Sequence, residues 1–470
     1  MSSRKDSKYI FFWLPYDVKY THKTFLTSLY LALDRFPIKN SIHIGQKKIF
    51  EPPSADIPEN WLASYDANIP TEDLLASIDK ILIDPKVFDE LEKKYKSKNI
   101  VWGKLLTERY LPLEPLLSDI FNDLASKYDI SAIVLWCNIP SVTYVAEQMK
   151  IKVIHNEMGP LRSPSYVGTC YFDFSGVNGN TEASKRFTSF SKEKDFNETE
   201  QFERNYLLNL LRIEKREKDT AVGEIYDIGV PLQVEDDSNI IAFSKGFSNL
   251  ELITYCRSLS NNVLIRKHPY GYVNYSEITP NSDMLTPQEF IEKCRSIVTI
   301  NSSVSLESIL YGKKTTILGD SPFNLLNEGM DEESIGKFLD FIVLNYLIPL
   351  EFLYNKNYYD WRLSNPSEKE IRNYHLNYYL EKLMERTMLF HEIRTEFTEL
   401  TSKLNDLNKE ILDLSNQIYE IKSELEYYKR DNSRLCEEIN SIKMGKGISS
   451  VIVKPIKYFI NLAKNKKTKE

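Results

Sequence analysis

The chain has 470 residues, 42% hydrophobic and 12% aromatic, which is enough apolar matter for two or three globular domains. Its formal charge of −7 is uneven: residues 443–470 hold eight lysines and one glutamate, so the first 442 residues carry −14. That balance argues against nucleic acid as the main partner and turns the tail toward an anionic surface. The five scattered cysteines (Cys137, Cys170, Cys256, Cys294, Cys436) exclude a disulfide frame or zinc site, and no run approaches the ~20 apolar residues of a membrane span.

The start, Met1-Ser2-Ser3-Arg4-Lys5-Asp6, is polar, and the apolar run Tyr9–Leu14 is too short for a signal peptide. The expected location is therefore cytoplasmic. Residues 8–14 read as a buried strand and 23–35 as an apolar-periodic helix. Strand 131–137, helix 140–149 and strand 152–155 follow, an alternation that predicts a parallel sheet. Behind that last strand stand Glu157 and Arg162, a carboxylate and a cation at a strand end. The loop 173–178 is either a substrate contact or a plain turn. A charged helical stretch at 198–217 ends the first lobe, assigned to residues 1–222.

The second lobe, 223–330, repeats the pattern. Strands are predicted at 239–243, 262–266, 296–300 and 314–319, and helices at 248–258, 287–294 and 303–312, the last ended by Gly312. Three segments carry chemistry here. Asp236 and Asp237 lie in a loop, after Gln233 and ahead of a predicted strand. Arg266, Lys267 and His268 end another, with Pro269 stiffening the turn. Asn301, Ser302 and Ser303 open a helix, where hydroxyls and unpaired N–H groups make an anion site or a simple N-cap. Ligands bind at such strand ends in open parallel sheets. A carboxylate beside phosphate-binding groups suggests transfer of a group away from a phosphate. A nucleophile on one lobe and an acid/base on the other suits double displacement at a sugar carbon. No metal-ligand cluster, Walker loop or GxGxxG motif is present, so no metal or cofactor is expected.

Residues 331–390 read as a helical region packed on the lobes. From Ile393 apolar residues recur in steps of four and three: d positions run through Leu400, Leu407 and Leu414 to Ile442, and a positions from Phe397 through Ile411 and Ile418 to Ile439. These heptads predict a coiled coil over 391–443, roughly 75 Å long at 1.5 Å per residue. Asn432 is the one polar core residue, and Glu424 and Glu438 at g face Lys429 and Lys443 at e, as in a parallel homo-oligomer. The coil is either a plain oligomerisation helix or a spacer. In the tail, 444–470, apolar residues from Ile448 to Leu462 alternate with lysines across Pro455, a basic amphipathic segment suited to a membrane surface or a frayed, solvated end.

Together, Glu157-x-Gly159-x-x-Arg162, Gly176-Val177-Asn178, Pro231-Leu232-Gln233-Val234, Asp237-Ser238, Lys267-His268-Pro269 and Asn301-Ser302-Ser303 with Glu307 and Gly312-Lys313 resemble the bacterial retaining β-Kdo transferases of capsule and O-antigen assembly. Where that pattern has Asp-Ser-Gln, this chain has Asp237-Ser238-Asn239. The resemblance implies a glycosyltransferase fold of the B type: two Rossmann-like α/β lobes. It implies CMP-Kdo as donor, a lipid-linked polysaccharide as acceptor, and no metal. It implies Asp237, not Asp236, as nucleophile and Glu157 as acid/base. His268, Lys267, Ser302 and Ser303 would hold the phosphate, with Gln233 and Asn301 beside them, and Arg162 would pair with the Kdo carboxylate. The alternatives are a sialyltransferase-like or polyol-phosphate transferase on the same fold, or a non-catalytic coiled-coil scaffold. Rod and tail together predict a peripheral enzyme on the inner face of the cytoplasmic membrane that caps chains.

Overall fold

Tyr9, Ile10, Phe11 and Phe12 are each no more than 1% exposed. A strand without a polar face belongs in the middle of a sheet covered on both sides. In the computed structural model, which describes residues 5–18, 21–51, 62, 65, 67–194, 196, 201–213, 224–275 and 285–445, that strand is β1 (Ser7–Phe12). It lies inside a seven-stranded sheet with β2 (Ser41–Gly45), β3 (Lys80–Leu82), β4 (Asp129–Leu135), β5 (Val153–Met158) and β6 (Thr169–Asp173). A second sheet contains β7 (Tyr226–Pro231), β8 (Val263–Arg266), β9 (Cys294–Thr299) and β10 (Lys314–Ile317). The chain then returns, and β11 (Leu347–Pro349) joins the first sheet.

The first sheet runs β11-β6-β5-β4-β1-β2-β3 and the second β10-β9-β7-β8. The second is parallel throughout. The first departs from the parallel sheet expected: β6 runs antiparallel to β5, and β11 antiparallel to β6. Contacts group Met1–Met384, with both sheets, into one unit, and Glu385–Glu470 into another. The helical region expected at 331–390 thus contains a strand of the first sheet. Its helices are Glu332–Phe341, Lys356–Leu363 and the start of a long helix at Glu368.

The strand expected at 239–243 is overturned too. Residues 239–243 are not a strand; Ser238–Phe243 is a short helix. Six residues are too few for periodicity to separate helix from strand, and the capping residue decides. Asp237 Oδ1 accepts from the Asn239 N–H at 2.9 Å. The strand of this region is β7, immediately upstream, so Gln233, Asp236 and Asp237 follow a strand and precede a helix.

That helix is held from both sides. A Cβ on Gly103 would stand 3.0 Å from Ile241 Cγ2, and one on Gly179 only 2.5 Å from the Phe243 ring. Gly103 belongs to helix Lys98–Thr107 and Gly179 to the loop after β6. Both come from the first half of the chain, so the segment bearing Asp237 is packed against elements of the first sheet.

In the second unit the helix begun at Glu368 runs to Gly445. Its heptad residues Leu400, Leu407, Ile411, Leu414 and Ile418 are more than 50% exposed in the single chain. The basic amphipathic tail lies outside the described residues.

Candidate active site

Glu157 is the last residue but one of strand β5, opposite Tyr171 of β6. The two strands come so close just beyond it that a side chain at Gly159 would stand 2.4 Å from Thr169 Oγ1. Arg162 Nε donates to Gly159 O at 2.9 Å, which fixes an exposed guanidinium at the rim. The loop after β6 is built around two buried polar groups. Asp173 accepts from the N–H groups of Ser175, Gly176 and Glu182 and from the Tyr346 hydroxyl. Asn138 donates to Val177 O and Gly179 O, both at 3.0 Å, and accepts from the Val177 N–H at 2.7 Å. Asp173 is thereby a loop anchor. The same loop presents Asn178, whose Nδ2 donates to Glu157 Oε2.

Facing this wall are the loops after β7, β8 and β9. A cleft of about 260 Å³ is lined by Glu157, Arg162 and Asn178 on one side and Asp237, His268, Ser302 and Ser303 on the other. Asp236 is turned into the interior at 4% exposure, while Asp237 lines the cleft. The hydrogen bonds to Asp237, from Asn239 N–H and the Ser238 hydroxyl, fall on Oδ1, so Oδ2 is the oxygen suited to attack.

Electrostatics divide the carboxylates by task. Burial, and next the charge of Asp237, push Glu157 up to about 7, against the pull of Asn178 and Arg162. Burial lowers the pKa of His268. Its Nδ1 accepts from the Tyr270 N–H at 3.1 Å, so the neutral ring carries its proton on Nε2. Ser302 Oγ accepts from the Val304 N–H at 3.3 Å and keeps its own proton to donate; Ser303, formally the N-cap of helix Val304–Leu310, makes no side-chain cap bond.

Two residues expected to bind donor have their amides engaged internally. Gln233 Nε2 donates to Asn301 Oδ1 at 3.0 Å, and the Asn301 N–H returns to Gln233 Oε1 at 3.2 Å. Asn301 Nδ2 also donates to the carbonyls of Asn239 and Phe243. This pair buckles β7, β9 and the Asp237 helix together, although both residues border the cleft. Lys267 lines an adjoining cavity instead. Glu307 borders the cleft as well; burial pushes it up to about 7, and it accepts from the Tyr166 hydroxyl at 3.3 Å. The motif reading quoted Asn178 and Glu307 but gave neither a role, and Asn138 carried no signal in the sequence.

A carboxyl pushed up to about 7, a second carboxyl, and hydroxyl and imidazole N–H donors line one cavity, an arrangement that can serve transfer of a group from a phosphate. Residues 9–182 match the glycosyltransferase 99 family N-terminal domain. The matched span takes in the Glu157–Arg162 and Gly176–Asn178 motifs and stops short of those from Pro231 onward, and it supports the resemblance to bacterial Kdo transferases that the motifs carry. Protein FixF of Sinorhizobium fredii is 22% identical over 283 residues, 55% of this chain and 67% of FixF. Among solved structures, the KpsC β-Kdo 2,7 transferase of Thermosulfurimonas dismutans is 16% identical with a TM-score of 0.33, covering 58% of this chain and 86% of its own. The KpsC β-Kdo 2,4 transferase of the same organism is 13% identical with a TM-score of 0.33, covering 45% and 78%.

Proposed function

We propose that this protein is a retaining glycosyltransferase that moves Kdo from CMP-Kdo to a polysaccharide acceptor through a covalent aspartyl intermediate. One observation carries the reading: Asp237 and Glu157 border one cleft, and the charge of the first raises the pKa of the second.

In the first step Asp237 Oδ2 attacks the anomeric carbon, the bond from that carbon to the phosphate oxygen breaks, and CMP leaves with the electron pair. His268 Nε2–H and the hydroxyls of Ser302 and Ser303 bond the phosphate as its charge grows. Arg162 pairs with the Kdo carboxylate at the rim. In the second step an acceptor hydroxyl attacks the same carbon, Glu157 takes its proton, and the ester to Asp237 breaks. Two inversions restore the starting configuration.

The charge coupling orders these steps. While Asp237 is an anion it helps keep Glu157 protonated. Esterification removes that charge, so Glu157 releases its proton and is ready as base when the acceptor arrives.

The heptads add a homo-oligomeric parallel coiled coil, and the basic tail a contact with the cytoplasmic membrane surface, where a lipid-linked polysaccharide would be capped. Among the described residues no helix is long and apolar enough to cross a membrane.

Intact-mass measurement after incubation with CMP-Kdo tests the chemistry. A Kdo-sized adduct is expected on the wild type and not on Asp237→Ala. An adduct formed instead from CMP-sialic acid, or polymer made from CDP-glycerol, would replace the donor assignment. An active enzyme without an adduct removes the mechanism.

A further inference from the structure

The loop that presents Asn178 to Glu157 is anchored on Asp173, and the groups behind Asp173 form a closed ring. Tyr346, the last residue of a buried π-type turn (Ile342–Tyr346), donates its hydroxyl to Asp173 Oδ2 at 2.9 Å. Its neighbour Asn345 donates through Nδ2 to Glu368 O at 2.8 Å and to Glu368 Oε2 at 3.1 Å. Glu368 opens the long helix that carries the heptads. Its carboxylate accepts two bonds from the Arg186 guanidinium, at 2.7 and 2.9 Å. Arg186 belongs to helix Ala183–Phe190, whose N-cap residue Glu182 donates its N–H to the same Asp173 Oδ2 at 2.8 Å. The side chains of Arg186 and Glu368 are only 13% and 17% exposed, and Arg186 Nη1 and Asn345 Oδ1 are buried without hydrogen-bond partners. A buried ion pair among such orphaned atoms stabilises a fold no better than an apolar filling of similar volume. What the forked pair adds is one fixed geometry.

We propose that Arg186 and Glu368 are positioning residues for Glu157, so that the root of the long helix is a working part of the candidate active site. The proposal rests on the transferase reading and deepens it by naming what holds the base. Glu368 fixes the loop from two sides. Through Arg186 and its helix it sets the Glu182 end, and through Asn345 and Tyr346 it sets Asp173. Asp173 Oδ1 in turn holds the N–H groups of Ser175 and Gly176, just ahead of Asn178. Asn138 clamps Val177 and Gly179 independently. Loss of the ring therefore leaves the loop closed over Glu157 and misaligns the Asn178 amide. The pKa of Glu157 then rises, because that amide is bonded to its charged form. The other ionisable groups that face Glu157 are Cys137, Arg162, Asp237 and Tyr171, the last packed on the Tyr346 ring, and the test leaves all of them in place.

The full chain, labelled with carbon-13 at the glutamate carboxyls, gives the Glu157 midpoint by NMR without any substrate, its signal being assigned by its loss in Glu157→Gln. Arg186→Met with Glu368→Met removes both charges together and keeps the volume. Tyr346→Phe removes one hydroxyl from the other arm of the ring and serves if the double variant does not fold. The midpoint, about 7 in the wild type, is expected to rise by about 0.5–1 unit in the double variant and by less in Tyr346→Phe. That is part of the roughly 1–2 units for full loss of a hydrogen bond to a charged group. In an Asn178→Gly background, with no amide left to position, the same changes are expected to add nothing. In single turnovers at the wild-type midpoint, decay of the adduct in the presence of acceptor should slow about two- to fivefold, and its formation from CMP-Kdo less. The proposal is overturned if the midpoint stays in place or falls in a folded variant, if the rise is as large in the Asn178→Gly background, or if adduct formation slows as much as its decay. A wild type that forms no adduct would instead sink the transferase reading, while the substrate-free titration still decides the ring.

Discussion

Removing the Asn178 amide should move the pH dependence of the acceptor step by an amount the geometry sets. Asn178 Nδ2 donates to Glu157 Oε2, and this bond favours the charged carboxylate. Asn178 has a φ of 62°, a left-handed conformation that glycine adopts without strain. Asn178→Gly therefore removes the donor and leaves the backbone at ease. A hydrogen bond to a charged group contributes roughly 1.5–3 kcal/mol, and one pH unit corresponds to about 1.4 kcal/mol, so the Glu157 pKa should rise by about 1–2 units. In the proposed acceptor step Glu157 acts as a base, so the active form lies on the alkaline side and the whole curve moves to higher pH. At the pH of the wild-type midpoint the acceptor step should slow about five- to fiftyfold, and at pH two or more units higher it should recover. The assay is a single turnover: adduct is formed with CMP-Kdo, mixed with acceptor over a series of pH values, and its disappearance followed by mass. A midpoint that stays in place, or moves down, would refute the role given to Glu157.

Glu307 has a folded pKa of about 7 against an ordinary 4.5, so it stabilises the fold least when ionised: stability falls as pH rises from about 4.5 to about 7. Glu307→Gln should raise Tm at pH 8, by an equivalent of at most about 3 kcal/mol, with the gain shrinking toward zero near pH 5 in calorimetry; an equal effect at both pH values would count against it. Gly179→Ala would put a methyl 2.5 Å from the Phe243 ring and displace the Asp237 helix; adduct formation should slow on the order of 10²-fold, since a misplacement of about 1 Å costs that much, and an unchanged burst rate would contradict the packing argument. Leu407→Asp with Leu414→Asp, at exposed d positions, should convert an oligomer to a monomer in sedimentation; a wild type that is already monomeric would remove the coiled coil.

Much of the site was readable because strand ends gather polar residues in this kind of sheet, and local sequence marks strand ends. Glu157, Arg162, His268, Ser302 and Ser303 each follow an apolar run, and all border the cleft. The strand error at 239–243 came from the same rule: Ile240, Ile241 and Phe243 are apolar because they pack between sheets, and burial alone does not reveal helix or strand. Gln233 and Asn301 looked like donor contacts because they stand beside the motif, yet each is the other's partner across 68 residues, a pairing no local pattern records. Asn138 shares this blindness, since its three bonds reach about forty residues ahead. Strand β11 is three residues long and sits in a Tyr-rich helical stretch, where it becomes a strand only because β6 offers an open edge.

The clamp on the Ser238–Phe243 helix has a consequence for motion. Its two glycine contacts, Gly103 with Ile241 and Gly179 with Phe243, can act as a pivot: a swing of one sheet against the other that preserves them moves the outer lips of the cleft more than the segment that carries Asp237.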